Sequence, residues 1–462
     1  MAELRKSPPE LYAFLYKMPK GADLHNHLSG AIYAESFLDA AAQQHLCVDK
    51  GAMALASTST CLPGQVDAAT IRTDNTLRNA LIDSFSMRNF VPGKQSGHDH
   101  FFDTFDKFGA VGSSDFVAEV AERAADQNES YLELMALSGG GPIAALGRTV
   151  GLTDDLDATR RKLEAAGLAQ QVAAARTRVD QMEQTRQTKL GCPQNPDSAA
   201  CRLQVRYVFQ VLREFPKEQV FAQVLGGFAI AAADPRVVAV NFVQAEDGYN
   251  SMHDYHLHMK MVDYAKSIYP NVHITLHAGE LAPGLVLPEG LRFHIREAVE
   301  LGHAERIGHG VDLLYEKDPA DLLREMRERH VAVEINLTSN DVILGVKGDR
   351  HPLPVYRKSG VPVALSTDDE GVSRSQLTEE FERAVLTYNL TYADLKEMAR
   401  NSIEYSFAPG ASYWRDRKYG AIAPACSGRK TPACGAYLEK NEKARLEADL
   451  EERFAAFERT SN

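Results

Sequence analysis

Residues 272–310 read VHITLHAGELAPGLVLPEGLRFHIREAVELGHAERIGHG and contain the pattern that predicts the fold most clearly. This stretch begins with the apolar run Val272 to His277, which predicts a buried strand, and it ends with a second short run, Arg306 to His309. Between them, LRFHIREAVELGHAE places apolar residues three and four positions apart, as an amphipathic helix does. Strand, helix and strand in this order form the repeating unit of a parallel sheet with helices packed outside it.

The same unit recurs on both sides of this stretch. Six further runs rich in Val, Ile and Leu are Ala22 to His25, Tyr131 to Leu137, Val205 to Leu212, Val237 to Val243, Val331 to Leu337 and Val361 to Thr367. Helical patterns such as PADLLREMRERH separate most of them. Eight strand-helix units favour a closed (β/α)8 TIM barrel over an open sheet, because such barrels often run long as one domain. We therefore predict one barrel domain over residues 1–462.

Two intervals are too long to be simple connections. Residues 39–108 end in HDHFFDTFDKF, and residues 138–203 contain LEAAGLAQQVAAARTRVDQMEQTRQ, which predicts one long helix. We interpret both intervals as helical insertions on the barrel, and the first as a candidate lid, since long loops in compact domains are usually functional. The charged segment NEKARLEADLEERFAAFERT, residues 441–460, predicts a helical C-terminal extension.

The composition favours a small neutral partner. Hydrophobic residues make up 44% of the 462 residues and charged residues 25%, and the formal net charge is -12, so the average field repels nucleic acid and other polyphosphates. No apolar run approaches the roughly 20 residues that cross a bilayer, and MAELRKSPPELYAFLYKMPKG lacks the apolar core of a signal peptide. We expect no nucleic-acid partner and no membrane partner. Nothing in the sequence predicts an oligomeric state.

The six cysteines fall into three close pairs: Cys47 with Cys61, Cys192 with Cys201, and Cys426 with Cys434. Each pair lies in a stretch rich in Gly, Pro, Ser or Thr, where a disulfide closes a loop without distorting a strand. None has the CxxC spacing of a zinc site. We predict three local disulfides and hence a periplasmic or secreted protein. The alternative is a cytoplasmic enzyme with six unrelated thiols.

The first and fifth strands end in groups that can bind a metal or transfer a proton. DLHNH places His25 and His27 two residues apart on an extended chain, so both imidazoles point to one face. HAGE supplies His277 and, three residues later, Glu280. Reactive groups of such barrels come from the carboxyl ends of the strands, where these residues stand.

The sixth and eighth predicted strands also end in groups that can bind a metal or transfer a proton. GHG places His309 between two glycines, where the backbone can approach a ligand closely, and STDD supplies Asp368 and Asp369. Each group alone is weak evidence, because single histidines and acidic residues are common in cores and loops. Metal ligands, acids and bases at four barrel strand ends together indicate a metal-dependent active site.

Four segments, MPKGADLHNHLSG, ITLHAGE, RIGHG and VALSTDDEG, resemble the signature segments of the adenosine and adenine deaminases of the amidohydrolase superfamily. The resemblance extends from about Leu11 to Tyr405. It implies one Zn²⁺ per chain, and the ligands that it implies are His25, His27, His277 and Asp368. Zinc takes imidazole and carboxylate ligands and lowers the pKa of a water molecule toward neutrality, which suits hydrolysis.

The resemblance also implies the roles of three further residues. Glu280 would donate a proton to purine N1, which makes C6 electrophilic, so it must be protonated when the substrate binds. His309 would orient or deprotonate the attacking water. Asp369 would hold the N7 edge of the purine while C6 loses ammonia. From the residues alone, Glu280 could instead form a surface salt bridge, His309 could be a core histidine and Asp369 could cap a loop.

Two departures from the family pattern concern the sugar end of the site. The common adenosine deaminases carry an aspartate after HxHL that binds the ribose 5′-hydroxyl, whereas this chain has Ser29. The family glycine whose amide meets purine N3 is also replaced, and Gln244 falls near its place in VAVNFVQAEDG. On the first insertion, Phe101, Phe105 and Phe108 recur at helical spacing and either cover the purine or belong to the core.

The function that these residues favour is the zinc-dependent deamination of adenosine or 2′-deoxyadenosine to inosine or 2′-deoxyinosine. The alternatives are deamination of adenine, a 5′-modified adenosine or N6-methyl-AMP, and a non-catalytic nucleoside-binding relative. A binuclear amidohydrolase would need a bridging lysine on the fourth strand, and Val237 to Val243 contains none. The HxE and PCxxC segments of cytidine-deaminase zinc sites are absent as well.

Overall fold

The computed structural model describes residues 1–428 and 431–460 of the chain. Its strands are β1 (Gly21–His27), β2 (Cys47–Asp49), β3 (Ala54–Ala56), β4 (Gln65–Asp67), β5 (Glu129–Ser138), β6 (Gln204–Leu212), β7 (Val237–Val243), β8 (His273–Ala278), β9 (Arg306–His309), β10 (Ala332–Ile335) and β11 (Val363–Leu365). The order β1-β5-β6-β7-β8-β9-β10-β11 forms one sheet in which each strand pairs parallel to the next.

The residues after β11 close this sheet onto β1. Asp368 N–H donates to the carbonyl of His25 at 2.8 Å, and His27 N–H donates to the carbonyl of Asp368 at 3.0 Å. In the register of β8 and β9, His277 lies opposite Gly308, so the carboxyl ends of these strands lie at one level. The structure therefore confirms the predicted (β/α)8 barrel, and it places the strand ends of the four motifs at one mouth of the barrel.

Helices surround the barrel and form the insertions. In the first half of the chain they are α1 (Pro8–Lys17), α2 (Leu28–Ala31), α3 (Ala34–Gln43), α4 (Asn75–Ser84), α5 (Gly97–Phe108), α6 (Val117–Asp126), α7 (Pro142–Val150), α8 (Leu156–Ala165), α9 (Leu168–Lys189), α10 (Ala199–Arg202) and α11 (Lys217–Ala233). The predicted helical C-terminal extension is confirmed, because residues 432–440 and 442–460 form two helices after the barrel. The second half contains α12 (Tyr249–His253), α13 (Tyr255–Ile268), α14 (His294–Glu300), α15 (Pro319–Arg329), α16 (Leu337–Leu344), α17 (Leu353–Lys358), α18 (Glu370–Ser373), α19 (Leu377–Tyr388), α20 (Tyr392–Glu404), α21 (Pro432–Lys440) and α22 (Glu442–Thr460).

Short 3-10 helices connect several of these elements. They are Leu4–Lys6, Ala68–Arg72, Ser114–Phe116, Pro288–Leu291, Leu313–Tyr315, Gly348–Arg350, Arg415–Arg417 and Pro424–Cys426. Within the described residues, no helix is both long and apolar enough to span a membrane.

The barrel strands are buried on both faces, as expected of a parallel sheet covered by helices. Every residue of β1 and β7 is buried. Leu24, Ile274 and Ile307 lie in one continuous apolar core and are at most 1% exposed. Each fully buried side chain of this kind contributes ~1.5–3 kcal/mol, so the barrel is a rigid support for the side chains at its mouth.

The first insertion differs from the helical prediction. Residues 39–108 contain the three-stranded antiparallel sheet β3-β2-β4 in addition to α4 and α5. Each of these strands has three residues, which is too short for an alternating apolar pattern to be visible in the sequence. Val48 and Leu55 belong to an apolar cluster that also contains Phe85 and Phe108, so tertiary packing that no local pattern shows supports this sheet.

The second insertion is helical, but the predicted long helix is divided in two. α8 ends at Ala165 and α9 begins at Leu168. Between them Gly167 has a φ of +111°, a left-handed conformation that glycine adopts without steric cost. The chain therefore turns at Gly167 although the helical pattern continues on both sides of it.

The three predicted disulfides are present. They join Cys47 to Cys61, Cys192 to Cys201 and Cys426 to Cys434, with Cα–Cα distances of 5.4, 5.5 and 4.4 Å. The first lies in the first insertion, the second between α9 and β6, and the third in the C-terminal extension. All three therefore constrain segments outside the barrel.

Candidate active site

Four side chains from β1, β8 and the residues after β11 converge at the mouth of the barrel. The Nε2 atom of His277 lies 3.1 Å from Nε2 of His25 and 3.2 Å from Nε2 of His27. Asp368 Oδ1 lies 3.3 Å from the Nε2 atoms of both His25 and His27. All four residues are buried. Asp368 has a φ of +63°, so its backbone holds a strained conformation while its side chain points into this cluster.

The hydrogen bonds behind the three imidazoles show which nitrogen of each ring is free. Each ring donates through Nδ1 to an acceptor: Glu334 Oε2 at 2.6 Å for His25, Gln210 Oε1 at 3.1 Å for His27, and Asn241 Oδ1 at 3.0 Å for His277. A neutral imidazole carries one proton, so each Nε2 then presents a lone pair. Three lone pairs and a carboxylate oxygen directed at one point repel one another unless a cation lies between them.

The spacing fits a divalent transition metal. Tetrahedral ligand atoms about 2 Å from an ion lie about 3.3 Å from one another, which is close to the four distances measured in the cluster. Three imidazoles and one carboxylate are also a donor set that such ions accept. The residues present therefore fit the metal that the sequence predicts at this position.

Glu280 lies beside the cluster on a tightly held turn. Gly279 has a φ of +75°, and an added Cβ there would lie 2.4 Å from Asp312 Oδ1, so only glycine fits. The carboxylate of Glu246 accepts the backbone N–H groups of Gly279 and Glu280 at 3.0 and 2.8 Å. Burial, with the negative charges of Asp368 and Glu246, raises the pKa of Glu280 well above its usual range. Glu280 is therefore suited to hold a proton at neutral pH.

His309 lies on the other side of the cluster. Its Nδ1 is 3.6 Å from Glu280 Oε1, and its Nε2 is 3.9 Å from Asp368 Oδ2. An added Cβ at Gly308 would lie 2.6 Å from the His25 ring, so the glycine before His309 allows the metal-site histidine to pack there. Burial lowers the pKa of His309 to about 3, which keeps its ring neutral at ordinary pH.

Asp369 follows Asp368 in the sequence and lines a cavity next to the cluster. An added Cβ at Gly30 would overlap its side chain, so this glycine gives Asp369 its space. Asp369 is buried, and among the described residues its Oδ1 atom has no hydrogen-bond partner. Burial raises the pKa of Asp369 well above its usual range. The Asp369 side chain lines a cavity and has a buried oxygen without a partner, so its carboxyl group is available to a ligand there.

Most of these groups line one cavity of about 450 Å³, whereas His25 and His309 are fully buried and do not line it. The residues that line it are His27, Ser29, Phe101, Phe102, Phe105, Asp106, Gln210, Leu212, Glu214, Val243, Gln244, Ala245, His277, Glu280, Asp368 and Asp369. The cavity therefore combines an apolar side on α5 with polar groups at the strand ends, as small-molecule sites usually do.

Three of the four predicted substrate-binding residues lie at the cavity, and the fourth lies elsewhere. Ser29, Gln244 and Phe105 line the cavity, but Phe108 does not. The Phe108 ring stacks on Phe37 with 4.5 Å between ring centroids, in the core of the first insertion. α5 turns Phe101 and Phe105 toward the cavity, whereas one turn later its apolar face meets the core. Phe108 therefore lies outside the cavity lining, and its contact with a substrate stays a prediction that this position does not support.

Three polar residues of the cavity lining were not predicted from the sequence. Gln210 and Glu214 lie at the end of β6, and Asp106 lies on α5 between predicted aromatic residues. Gln210 holds His27, as described above. Gln210 and Glu214 could have been predicted from their position, because β6 ends at the same mouth of the barrel as the strands that carry the motifs.

The first insertion is tied to the loop after β7 across this cavity. His98, near the start of α5, lies with its Nε2 2.9 Å from Asp247 Oδ1. The His98 ring also packs on the cavity residue Phe102, with 4.8 Å between ring centroids. This contact fixes α5 above the metal-ligand cluster.

The family model described as "Adenosine deaminase" matches residues 175–414, a little over half of the chain. The adenosine deaminase of Vibrio vulnificus is 23% identical over 406 residues, which cover 86% of this chain and 96% of that protein. The adenosine deaminase of Clostridium perfringens is 38% identical over 135 residues, which cover 29% of this chain but only 37% of that protein.

A solved structure, the adenine deaminase of Arthrobacter aurescens, shares the fold with a TM-score of 0.57 and 18% identity. That alignment covers 94% of this chain and 98% of the other. The matched family region contains His277, Glu280, His309, Asp368 and Asp369. The chain belongs to the adenosine deaminase family.

Proposed function

We propose that this protein catalyses the hydrolytic deamination of adenosine and 2′-deoxyadenosine to inosine and 2′-deoxyinosine, with release of ammonia. One observation carries the proposal: Glu280, His309 and Asp369 lie next to a buried His3Asp cluster, and Glu280 and Asp369 line the same cavity as three of its four residues. A proton donor, a neutral imidazole and an unpartnered carboxyl group beside a metal site are what an attack of water on a 6-aminopurine needs.

The metal in this proposal is one Zn²⁺ per chain, held by His25, His27, His277 and Asp368. The three Nε2 lone pairs and the carboxylate oxygen support zinc, which prefers imidazole and carboxylate at tetrahedral spacing. When bound, zinc lowers the pKa of a water molecule toward neutrality and so supplies a nucleophile at working pH.

The protein's own residues would then carry the protons and orient the purine. Glu280 holds a proton at its carboxyl group and donates it to purine N1, which makes C6 electrophilic. Asp369 binds the N7 edge through its carboxyl group, which lines the cavity. His309 orients or deprotonates the water that attacks C6. The raised pKa of Glu280 and the neutral His309 ring support this division of roles.

The charges in the cavity favour a nucleoside over a nucleotide. Asp106 and Glu214 line it together with the catalytic carboxyl groups, and no lysine or arginine lies among the described lining residues. A 5′-phosphate would therefore meet negative charge without a cation to bind it. N6-methyl-AMP is disfavoured for the same reason, and free adenine would leave the sugar end of the cavity empty.

We expect kcat/KM for adenosine and 2′-deoxyadenosine to exceed that for AMP and N6-methyl-AMP by about tenfold or more, from repulsion between the phosphate and the carboxylates. The measurement is ammonia release from these four substrates and from adenine by the purified protein. A higher kcat/KM for AMP than for adenosine would overturn this substrate assignment.

Ser29 provides a test of the sugar end. An aspartate there would accept a charge-assisted hydrogen bond from the ribose 5′-hydroxyl, whereas serine forms a weaker neutral one. We expect Ser29→Asp to raise the preference for adenosine over 5′-deoxyadenosine by about tenfold. The ratio of kcat/KM for the two substrates is measured in wild type, Ser29→Asp and Ser29→Ala. An unchanged ratio in both variants would show that residue 29 does not contact the sugar.

We also propose that the chain is a single barrel domain, with the segments 39–108 and 138–203 as insertions and the first of them as a lid. The contact between His98 and Asp247 supports the lid, because it holds α5 over the cavity from the opposite side of the mouth. α5 also supplies Phe101, Phe102 and Phe105 to the cavity. Opening of the lid would therefore remove one apolar wall of the site.

The disulfides support a periplasmic or secreted location of the mature protein. They close short loops, with sequence separations of 14, 9 and 8 residues, so each contributes no more than about 3 kcal/mol. We expect the reduced protein to keep its barrel, as judged by circular dichroism, with a lower Tm. Peptide mapping without reductant should recover the three bonded pairs from natively exported protein, and six free thiols there would contradict the assignment.

A further inference from the structure

A chain of buried polar groups runs from α17 to His309. The backbone N–H of Leu353 donates to His351 Nδ1 at 3.1 Å. His351 Nε2 lies 3.0 Å from Asn340 Oδ1, and Asn340 Nδ2 lies 2.9 Å from His309 Nδ1. His309, Asn340 and His351 are at most 2% exposed, so water does not compete for these bonds.

The first hydrogen bond of this series fixes which partner donates in each of the following bonds. A backbone N–H can only donate, so His351 Nδ1 must accept and the proton of the neutral ring stands on Nε2. His351 Nε2–H then donates to the oxygen of Asn340, which turns the amide nitrogen of Asn340 toward His309. Burial lowers the pKa of His351 to about 4, so the ring is neutral at ordinary pH.

The amide of Asn340 can only donate through its nitrogen, so His309 Nδ1 must accept. In a neutral ring the proton then stands on Nε2, the nitrogen that faces Asp368 Oδ2 at 3.9 Å. Asn336 Nδ2 lies 3.4 Å from both ring nitrogens and favours neither tautomer. Glu280 Oε1, 3.6 Å from Nδ1, is beyond hydrogen-bond distance.

We propose that Leu353 N–H, His351 and Asn340 hold His309 in the tautomer with its proton on Nε2, so that His309 donates a hydrogen bond to the attacking water and does not take its proton. Asn340 and His351 are positioning residues that act through His309. The tautomer follows from the hydrogen bonds alone, whereas the role toward water rests on the proposed function.

The tautomer can be measured without turnover. In zinc-loaded protein with 15N-labelled histidine, NMR distinguishes a proton-bearing ring nitrogen from one with a lone pair, and loss of the signals in His309→Gln assigns them. We expect Nε2 of His309 to bear the proton and Nδ1 to carry the lone pair. The opposite pattern would overturn the proposal, whether or not the protein deaminates a purine.

Asn340→Asp reverses the direction of the last bond. A carboxylate only accepts, so it should draw the proton of His309 to Nδ1 and leave a lone pair on Nε2. We expect the NMR pattern to invert, zinc content to stay the same, and kcat/KM for the best purine substrate to fall by about tenfold to hundredfold. Inversion of the pattern with an unchanged kcat/KM would overturn the donor role of His309. An unchanged pattern would overturn the relay.

Asn401→Asp is the matched control. Asn401 is also a buried asparagine, but it donates to the carbonyl of Val363 at the start of β11 and forms no hydrogen bond with His309. It should leave the His309 pattern unchanged. If Asn340→Asp does not fold, His351→Phe replaces it: without the donor to Asn340 Oδ1, the amide can rotate, and both tautomers of His309 should appear. A single unchanged tautomer in His351→Phe would contradict the relay.

Discussion

Glu280→Gln should lower kcat for adenosine by about 10²-fold or more while the protein keeps its metal. The amide can donate a hydrogen bond to purine N1 but cannot release a proton to it, so C6 stays a poor electrophile. Glu280 is not among the four residues of the metal-ligand cluster, and its turn is fixed through backbone N–H groups that the substitution leaves in place. The measurements are steady-state kinetics and metal content of the same preparation.

Glu316→Gln is the control for this experiment. Glu316 is another buried glutamate that accepts backbone N–H groups, those of Ile295 and Arg296, but it does not line the cavity. Its substitution should cost stability and leave kcat within a few-fold of wild type. Near-normal kcat in Glu280→Gln would mean that another group protonates N1.

Removal of a metal ligand should have a still larger effect. Asp368→Ala and His277→Ala each remove one of the four converging atoms, and we expect loss of bound metal and a fall in kcat of about 10³-fold or more, since the water then keeps an ordinary pKa. Elemental analysis should find about one zinc per wild-type chain, in keeping with one mononuclear cluster. Chelation should abolish activity and added zinc should restore it.

His256→Ala is the matched control for the ligand variants. His256 also belongs to an HxH sequence, but it lies on α13 with its side chain exposed, where it contacts Glu297. This variant should keep its metal and its activity. Two tightly bound metals per wild-type chain, both required for turnover, would contradict the mononuclear assignment.

The barrel could be predicted from the sequence because its strands are buried on both faces and read as apolar runs. Arg306 to His309 is β9 itself, and Val237 to Val243 is β7. The four metal-ligand candidates could be placed together as well, because parallel strands bring their carboxyl ends to one mouth. Motif position and fold were sufficient for that inference, and no side-chain detail was needed.

What the sequence did not predict depends on tertiary contacts. The strands of the small sheet are too short to show a period, and the turn at Gly167 is a local conformation inside a continuous helical pattern. Phe105 and Phe108 belong to one series of aromatic residues at helical spacing. Only Phe105 lines the cavity, because Phe108 packs against Phe37. The relay from His351 through Asn340 to His309 joins segments whose distances no sequence pattern gives.

In the proposed function, this protein replaces the 6-amino group of adenosine with oxygen from water. The most direct test is incubation of the zinc-loaded protein with adenosine in H2 18O, followed by mass spectrometry of the nucleoside and assay of ammonia. We predict inosine with one 18O atom at C6 and one ammonia for each adenosine consumed. Unchanged adenosine with no release of ammonia, or inosine without 18O at C6, would contradict this function.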